Sequence, residues 1–267
     1  MSALRPQPTA QAVGSLKVFQ HHLSLYRRVW KGSVFNSFLS PALYLGSLGL
    51  GLGSLISHNQ LAPLGGLSYA AFVAPGMLAS AAMLTASSES MYPIMARVQW
   101  MRTYDAMLAT PLGVSDLVGG ELLWQLFRLT TVSTVFFLVM LAFHTVTSPL
   151  GVLAIPVGVL TGVAFGLPIM AWSALQHVDS WFAVVYRFVI TPLFILGGTF
   201  FPISRLPLLV QPIAWITPLA HGVALARALS SGTATLAPSL LHLGVLLLCA
   251  AVGLVAARIT FKIRLAS

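Results

Sequence analysis

Only five acidic side chains occur in the 267 residues: Glu89, Asp105, Asp116, Glu121 and Asp179. Hydrolysis or metal chemistry needs such groups to converge with histidines or nucleophiles. The seven histidines, at 21, 22, 58, 144, 177, 221 and 242, are scattered along the chain. There is no His-Glu-x-x-His zinc pattern, no Gly-x-Ser-Gly elbow, no paired-glutamate prenyl-protease motif and no Gly-x-x-x-x-Gly-Lys-Ser/Thr phosphate loop. His177 and Asp179 lie close in sequence but have no third partner, so they read as a loop pair. The single cysteine, Cys249, allows neither an intrachain disulfide nor a cysteine metal cluster. The expectation is therefore no catalytic group, no metal site and no cofactor within this chain.

One polar group stands out from an apolar background. Arg128 follows the first residue of a span expected at 118–142 by ten positions, up to ~15 Å into a helix rising ~1.5 Å per residue. A guanidinium at that depth either snorkels toward the headgroups or pairs with an acid. Glu89 and Glu121 are the two candidates, and Glu121 lies seven residues before Arg128 on the same helical face.

The background itself decides the protein class. Hydrophobic residues make up 57% of the chain and charged residues 7%, with a mean hydropathy of +0.90. A soluble domain carries about 25% charged residues. Soluble enzymes, nucleic-acid modules and disulfide-built secreted domains are excluded, and the net charge of +9 reads as an asymmetry of membrane loops rather than a nucleic-acid surface.

Gaps between charges count the spans. No Asp, Glu, Lys or Arg occurs over the 57 residues from Gly32 to Ser88 or the 50 from Leu129 to Val178. Arg187 and Arg205 enclose 17 uncharged residues, and Arg227 and Arg258 enclose 30. A membrane helix needs about 20 apolar residues. The first two gaps each accommodate two spans and the last two one each. The expectation is an all-α membrane protein with six spans near 33–57, 69–92, 118–142, 150–175, 181–201 and 236–258. The turn residues His58, Asn59, Pro63 and Gly65-Gly66 form a first external loop. Prolines at 207, 212 and 218 deny a seventh span, because lipid cannot satisfy the backbone groups they free. Residues 202–230 are expected as broken helices folded at the external membrane surface.

With the N-terminus inside, twelve of the 14 Lys and Arg face the cytosol and only Arg205 and Arg227 face out. Both termini are then cytosolic. Residues 1–13 read as a polar tail without a cleaved signal, and 259–267 as a basic cytosolic C-terminus. Over 14–31, Leu16, Phe19, Leu23, Tyr26 and Trp30 recur at helical spacing, which predicts an amphipathic helix lying in the membrane plane. Small residues spaced four apart at Ala154, Gly158, Gly162 and Gly166 permit close helix approach, within one subunit or at a dimer seam, and Gly49 and Gly53 do likewise.

The cytosolic segment 93–117 includes an expected short helix over 96–109. Met101, Tyr104 and Leu108 share one face, and Arg97, Arg102 and Asp105 lie at its rim. Thr110-Pro111 ends it, and Ser115 or Asp116 can cap the next helix. An apolar face rimmed by charge suits either insertion into a partner's groove or packing on the chain's own bundle.

The run Tyr104-Asp105-Ala106-Met107-Leu108-Ala109-Thr110-Pro111-Leu112, leading through Gly120-Glu121 to Trp124, resembles the cytosolic signature of type-two ABC exporter permeases. It is most similar to the branch of nodulation-factor, or lipo-oligosaccharide, export permeases. A second match is Gly198-Thr199-Phe200-Phe201-Pro202, then Leu206-Pro207, Pro212-Ile213-Ala214-Trp215, Thr217-Pro218-Leu219 and His221-Gly222. The resemblance spans nearly the whole chain. It implies a permease half that pairs with a second permease, in the cytoplasmic membrane of a bacterium. It also implies two docked ABC ATPase subunits, which would hold ATP and magnesium. Docking is expected through Arg97, Met101, Arg102, Tyr104, Asp105 and Leu108. The resemblance implies an amphipathic cargo, whose path should be apolar and aromatic rather than charged, with Phe35, Phe38, Tyr44, Phe72 and Phe194 as candidate lining. Phe200, Phe201, Trp215 and Leu219 are expected to cap the path on the outside.

Overall fold

The computed structural model describes residues 8–47, 51 and 66–265. Every regular element among them is helical. In chain order these are α1 (Pro8–Tyr26), α2 (Trp30–Leu45), α3 (Tyr69–Ser90), α4 (Tyr92–Met95), α5 (Thr103–Leu108), α6 (Val114–Ala142), α7 (Ala154–Ala174), α8 (Ser180–Val185), α9 (Thr191–Leu196), α10 (Gln211–Ile216), α11 (Pro218–Ser231) and α12 (Leu236–Leu265). Wider π turns at Ala96–Trp100 and Tyr186–Ile190 continue α4 and join α8 to α9.

Four stretches are long and apolar enough to cross a membrane: Tyr69–Trp100, Val114–Ala142, Pro149–Ala174 and Leu236–Leu265. A shorter apolar helical run covers Ser180–Leu196. At ~1.5 Å per residue the 29 residues of α6 reach about 44 Å, well beyond a ~30 Å hydrocarbon core. The expected first span over 33–57 is described only as α2, and its remainder, with Gly49, Gly53 and the turn residues 58–65, lies outside the described residues.

Helix α7 is the hub of the bundle, packed against α3, α6, α11 and α12. Its stripe of small residues explains how. A Cβ on Gly158 would lie 2.5 Å from Leu78 Cδ2 of α3 and 2.7 Å from Ser133 Oγ of α6, and one on Gly162 would lie 2.7 Å from Leu129 of α6. Gly166 faces Gln125 and Ala86 in the same way. The stripe is thus filled by helices of the same chain. On α12 the buried residues Leu246, Gly253, Ala257 and Phe261 form one stripe, while Leu247, Leu248, Val252, Val255 and Ile259 remain exposed around it, the pattern of a helix packed on one side and bathed in lipid on the other.

Several boundaries differ from the sequence reading. Helix α1 begins at Pro8 and ends at Tyr26, so Trp30 opens α2 instead of extending the α1 stripe. The residues of α1 that bury are Gly14, Val18 and His22, four apart, whereas Leu16 is 47% exposed. Gly119 and Gly120 on α6 provide the cause: a Cβ on either would collide with Ser15 or Val18, so α1 settles directly onto the first turns of α6. The helix expected over 96–109 is broken, because Arg102 takes a left-handed conformation (φ 47°, ψ 32°) that reverses the chain before α5. Residues 259–265 continue α12 past the span end expected at 258. Ahead of α6, the Gly113 N–H donates to Asp116 Oδ2 at 2.8 Å, a carboxylate placed at the helix start. Between 202 and 231 the chain forms a 3-10 turn at Ile203–Arg205, then α10 and α11, with Pro212 and Pro218 in their first turns.

Candidate functional site

The densest polar constellation lies where α1, the π turn after α4, α5 and the first half of α6 meet. Glu121 is 1% exposed and sits at its centre. Arg97 Nη1 donates to Glu121 Oε1 at 3.0 Å and Oε2 at 2.9 Å. The Tyr104 hydroxyl donates to Oε1 at 2.6 Å, and His22 Nε2 lies 2.8 Å from the same oxygen. A carboxylate only accepts, so His22 must carry its proton on Nε2. Burial, and then the Glu121 charge, push the Tyr104 phenol well above its ordinary pKa, which keeps it a neutral donor. Three separate chain segments are therefore tied to one residue of α6.

A second cluster lies one to two turns deeper. Arg128 Nε donates to Glu89 Oε1 at 3.0 Å, and its Nη1 donates to Tyr26 Oη at 3.1 Å and Ser33 Oγ at 2.8 Å. The guanidinium also faces the Tyr26 ring, 5.0 Å from its centre. Trp124 joins the clusters: its indole N–H donates to Glu89 Oε2 at 3.2 Å, and its ring packs against His22 and Tyr26. Of the two acids considered for Arg128, the structure selects Glu89. Glu121, although on the same helical face, is turned toward Arg97.

This geometry corrects the docking reading at two residues. Tyr104 is fully buried beneath Phe261 and bonded to Glu121, and Arg97 is inside the ion pair, so neither presents a side chain to a partner. The left-handed Arg102 is the reason, since it folds α5 back onto the bundle. Leu108 packs partly against the core. Met101, at 68% exposure, remains outward together with Arg102, Asp105 and Trp100.

The sequence profile of the ABC-2 type transporter family matches residues 18–230, from α1 through α11. The chain belongs to the ABC-2 type transporter family. Nodulation protein J of Rhizobium leguminosarum bv. viciae is 35% identical over 232 residues, covering 86% of this chain and 87% of that one. Nodulation protein J of Neorhizobium galegae is 33% identical, covering 86% of each. A more distant relative, the inner membrane transport permease YadH of Escherichia coli (strain K12), is 23% identical over 76% of this chain and 77% of its own. The chain is accordingly a multi-pass membrane permease, and its family is that of a membrane subunit without an ATPase domain of its own.

In this ABC-2 permease the ion pair of the second cluster is also the wall of a cavity. About 350 Å³ opens between α2, α3 and α6, lined by Ser33, Ser37, Thr85, Ser88, Glu89 and Arg128 toward one end. Toward the other end the lining is Met77, Leu84, Val132, Phe136, Phe194 and Tyr44. A second cavity of about 380 Å³, bounded by His22, Tyr26, Arg97 and Trp124, shares Ser33, Glu89 and Arg128 with the first. The cavity is amphipathic, whereas the cargo path was expected to be lined by apolar and aromatic rather than charged residues. Among the aromatic candidates, Tyr44 and Phe194 line it. Phe35 and Phe38 are exposed elsewhere on α2, and Phe72 is buried with the Arg227 guanidinium 3.7 Å over its ring.

Of the four expected capping residues, Leu219 is fully buried and Phe200 packs edge-on against Phe194, ring centres 5.1 Å apart. Phe201 is half-buried, and the exposed Trp215 stacks on His242. His22, Tyr26, Ser33 and Trp124 are the site residues that sequence reasoning missed. The available signal was spacing: His22 and Tyr26 are four apart on α1, and Glu121, Trp124 and Arg128 recur at three and four on α6.

Proposed function

We propose that this chain is the permease half of an ATP-driven exporter in the cytoplasmic (inner) membrane of a bacterium. It works with a second permease, identical or related, and with two ABC ATPase subunits that hold ATP and magnesium. The observation that carries this reading is the Glu121 hub. An exposed cytosolic tip, Trp100 to Asp105, is tied through Arg97 and Tyr104 to a buried carboxylate on α6, and through His22 to α1. A push on that tip reaches the cavity wall because Glu121 and Arg128 are carried on the same helix.

In this arrangement six spans cross the membrane. The first begins with α2. The next two are Tyr69–Trp100 and Val114–Ala142. The last three are Pro149–Ala174, Ser180–Leu196 and Leu236–Leu265. Both termini and the 93–117 segment face the cytosol, 202–230 faces out, and α1 lies along the inner surface. The amphipathic cavity supports an amphipathic cargo, of the class of lipo-oligosaccharides, lipids, polysaccharides or drugs. The resemblance to Nodulation protein J favours the first.

The test is co-purification of the ATPase with folded variants. Met101→Glu together with Trp100→Glu should release the ATPase or abolish substrate-stimulated hydrolysis, while Asp105→Ala should act less, because buried apolar anchors dominate such interfaces. Undisturbed assembly and coupling in the double variant would move the docking site elsewhere. An ATP-independent carrier or assembly scaffold would follow if no ATPase accompanies the wild-type permease.

A further inference from the structure

All five acids lie in or beside α3, α5, α6 and the loop before α8. Arg227, on α11, is remote from every one of them in the ion-pair pattern: among the described residues its guanidinium has no carboxylate within salt-bridge distance. It is held instead by backbone oxygens. Nε donates to Phe72 O at 2.9 Å, and Nη2 donates to Gly198 O at 2.8 Å and Thr199 O at 3.4 Å. Burial with no offsetting charge lowers its pKa to about 10, so it stays protonated at neutral pH. A part-buried cation that lacks a counter-ion retains a strong attraction for one.

The space for a counter-ion is adjacent. Arg227 lines a cavity of about 220 Å³ together with Gly197, Gly198, Ser204, Trp215 and Ala224. Gly198 turns the chain with a left-handed φ of 81°, and the Gly197 N–H is spent on Leu193 O at 2.8 Å, so the attraction for an anion at this cavity comes from Arg227. The Ser204 hydroxyl and the Trp215 indole N–H are further donors on the lining residues, and neither donates to another group among the described residues. The neighbouring ionisable groups are Arg205, which follows Ser204, and the histidine pair His221 and His242, whose Nδ1 atoms lie 2.8 Å apart and whose rings pack on Trp215. None of these supplies a negative charge.

We infer that the Arg227 cavity is a binding site for a tetrahedral oxyanion, a sulfate or phosphate group, borne either by a free ion or by a phospholipid headgroup. The ligand would complete the electrostatics of Arg227 and bridge α11 to the 197–204 turn, which the guanidinium already fastens to α3. This inference does not rest on the transport reading, since it uses only the unpaired cation and the space beside it.

The experiment is equilibrium binding of radiolabelled inorganic sulfate to the full-length protein in dodecyl maltoside micelles, which carry no phosphate, at constant ionic strength. The expected result is saturable binding of one sulfate per chain, competed by inorganic phosphate and not by chloride. Ala224→Leu fills the cavity without touching the Arg227 hydrogen bonds, and should cut affinity at least tenfold. Arg227→Gln should abolish binding, and Trp215→Phe, which keeps the ring but removes the N–H, should weaken it. Phosphatidylglycerol added to the micelles distinguishes the sources. Loss of sulfate binding there assigns the site to a lipid phosphate, and unchanged binding assigns it to a free oxyanion. Absence of saturable binding in the micelles, or wild-type binding in Ala224→Leu with the fold intact, would overturn the inference.

Discussion

Replacing Glu121 with Gln tests the central geometry with almost no change of volume. The carboxylate takes two contacts from Arg97 at 2.9 and 3.0 Å, one from Tyr104 at 2.6 Å and one from His22 at 2.8 Å, in a position 1% exposed. The amide oxygen of Gln still accepts from one or two of these donors. It cannot neutralise Arg97, and its own N–H groups would face donors. Breaking a buried pair from one side costs about 3–5 kcal/mol. Because α5 is held to α6 through Tyr104 and Arg97, that cost falls on local opening of α5. At ~1.4 kcal/mol per factor of ten, its opening constant should rise roughly 10²- to 10³-fold or more. The assay is hydrogen exchange of the Ala106 and Ala109 amides, which are bonded to Arg102 O and Asp105 O, in detergent-purified protein. Arg97→Gln alone should behave similarly, and the double variant should cost far less than the sum, since the two changes remove the same interaction. Exchange within threefold of wild type in Glu121→Gln, or additive costs in the double variant, would refute the assignment of Glu121 as the anchor of the cytosolic segment.

Gly162→Leu should lower the thermal midpoint by the equivalent of about 1–3 kcal/mol or more, because its Cβ alone would lie 2.7 Å from Leu129 and 3.1 Å from Ala82 O; a wild-type midpoint would mean the α7 stripe is not the close contact with α3 and α6. Arg128→Met keeps length but strips Glu89 of its cation and Ser33 of its donor, so transport should fail while the protein remains monodisperse; full transport would remove this pair from the cargo path. For topology, a cysteine at Arg205 should react with an impermeant reagent added outside intact cells and one at Arg102 should not; the reverse pattern would invert the proposed orientation.

Membership of the membrane class, the four long apolar helices and the breaks at Pro212 and Pro218 were legible in the sequence because each depends on local chemistry. Charge-free intervals of 57 and 50 residues can only be solvated by lipid or protein, and proline acts on its own turn. Glu89 as a partner for Arg128 was also open to view, since so few acids compete. What the one-dimensional pattern could not carry was direction. Helical spacing placed Tyr104 beside Met101 and Leu108 on an apolar face, yet it could not tell that Arg102 would adopt φ 47° and turn Tyr104 inward under Phe261, 157 residues later. The same limit hid His22. On α1 the apolar stripe Leu16, Phe19, Leu23, Tyr26 and Trp30 did bring Phe19 and Tyr26 onto α6, but it did not include Val18 and His22, whose approach is allowed by the missing side chains of Gly119 and Gly120. Apolar periodicity reports which face avoids water, and in a membrane both lipid and protein satisfy that demand equally. Which residues meet protein is decided by steric fit and by the pairing of buried charges, and both exist only once the helices have been brought together.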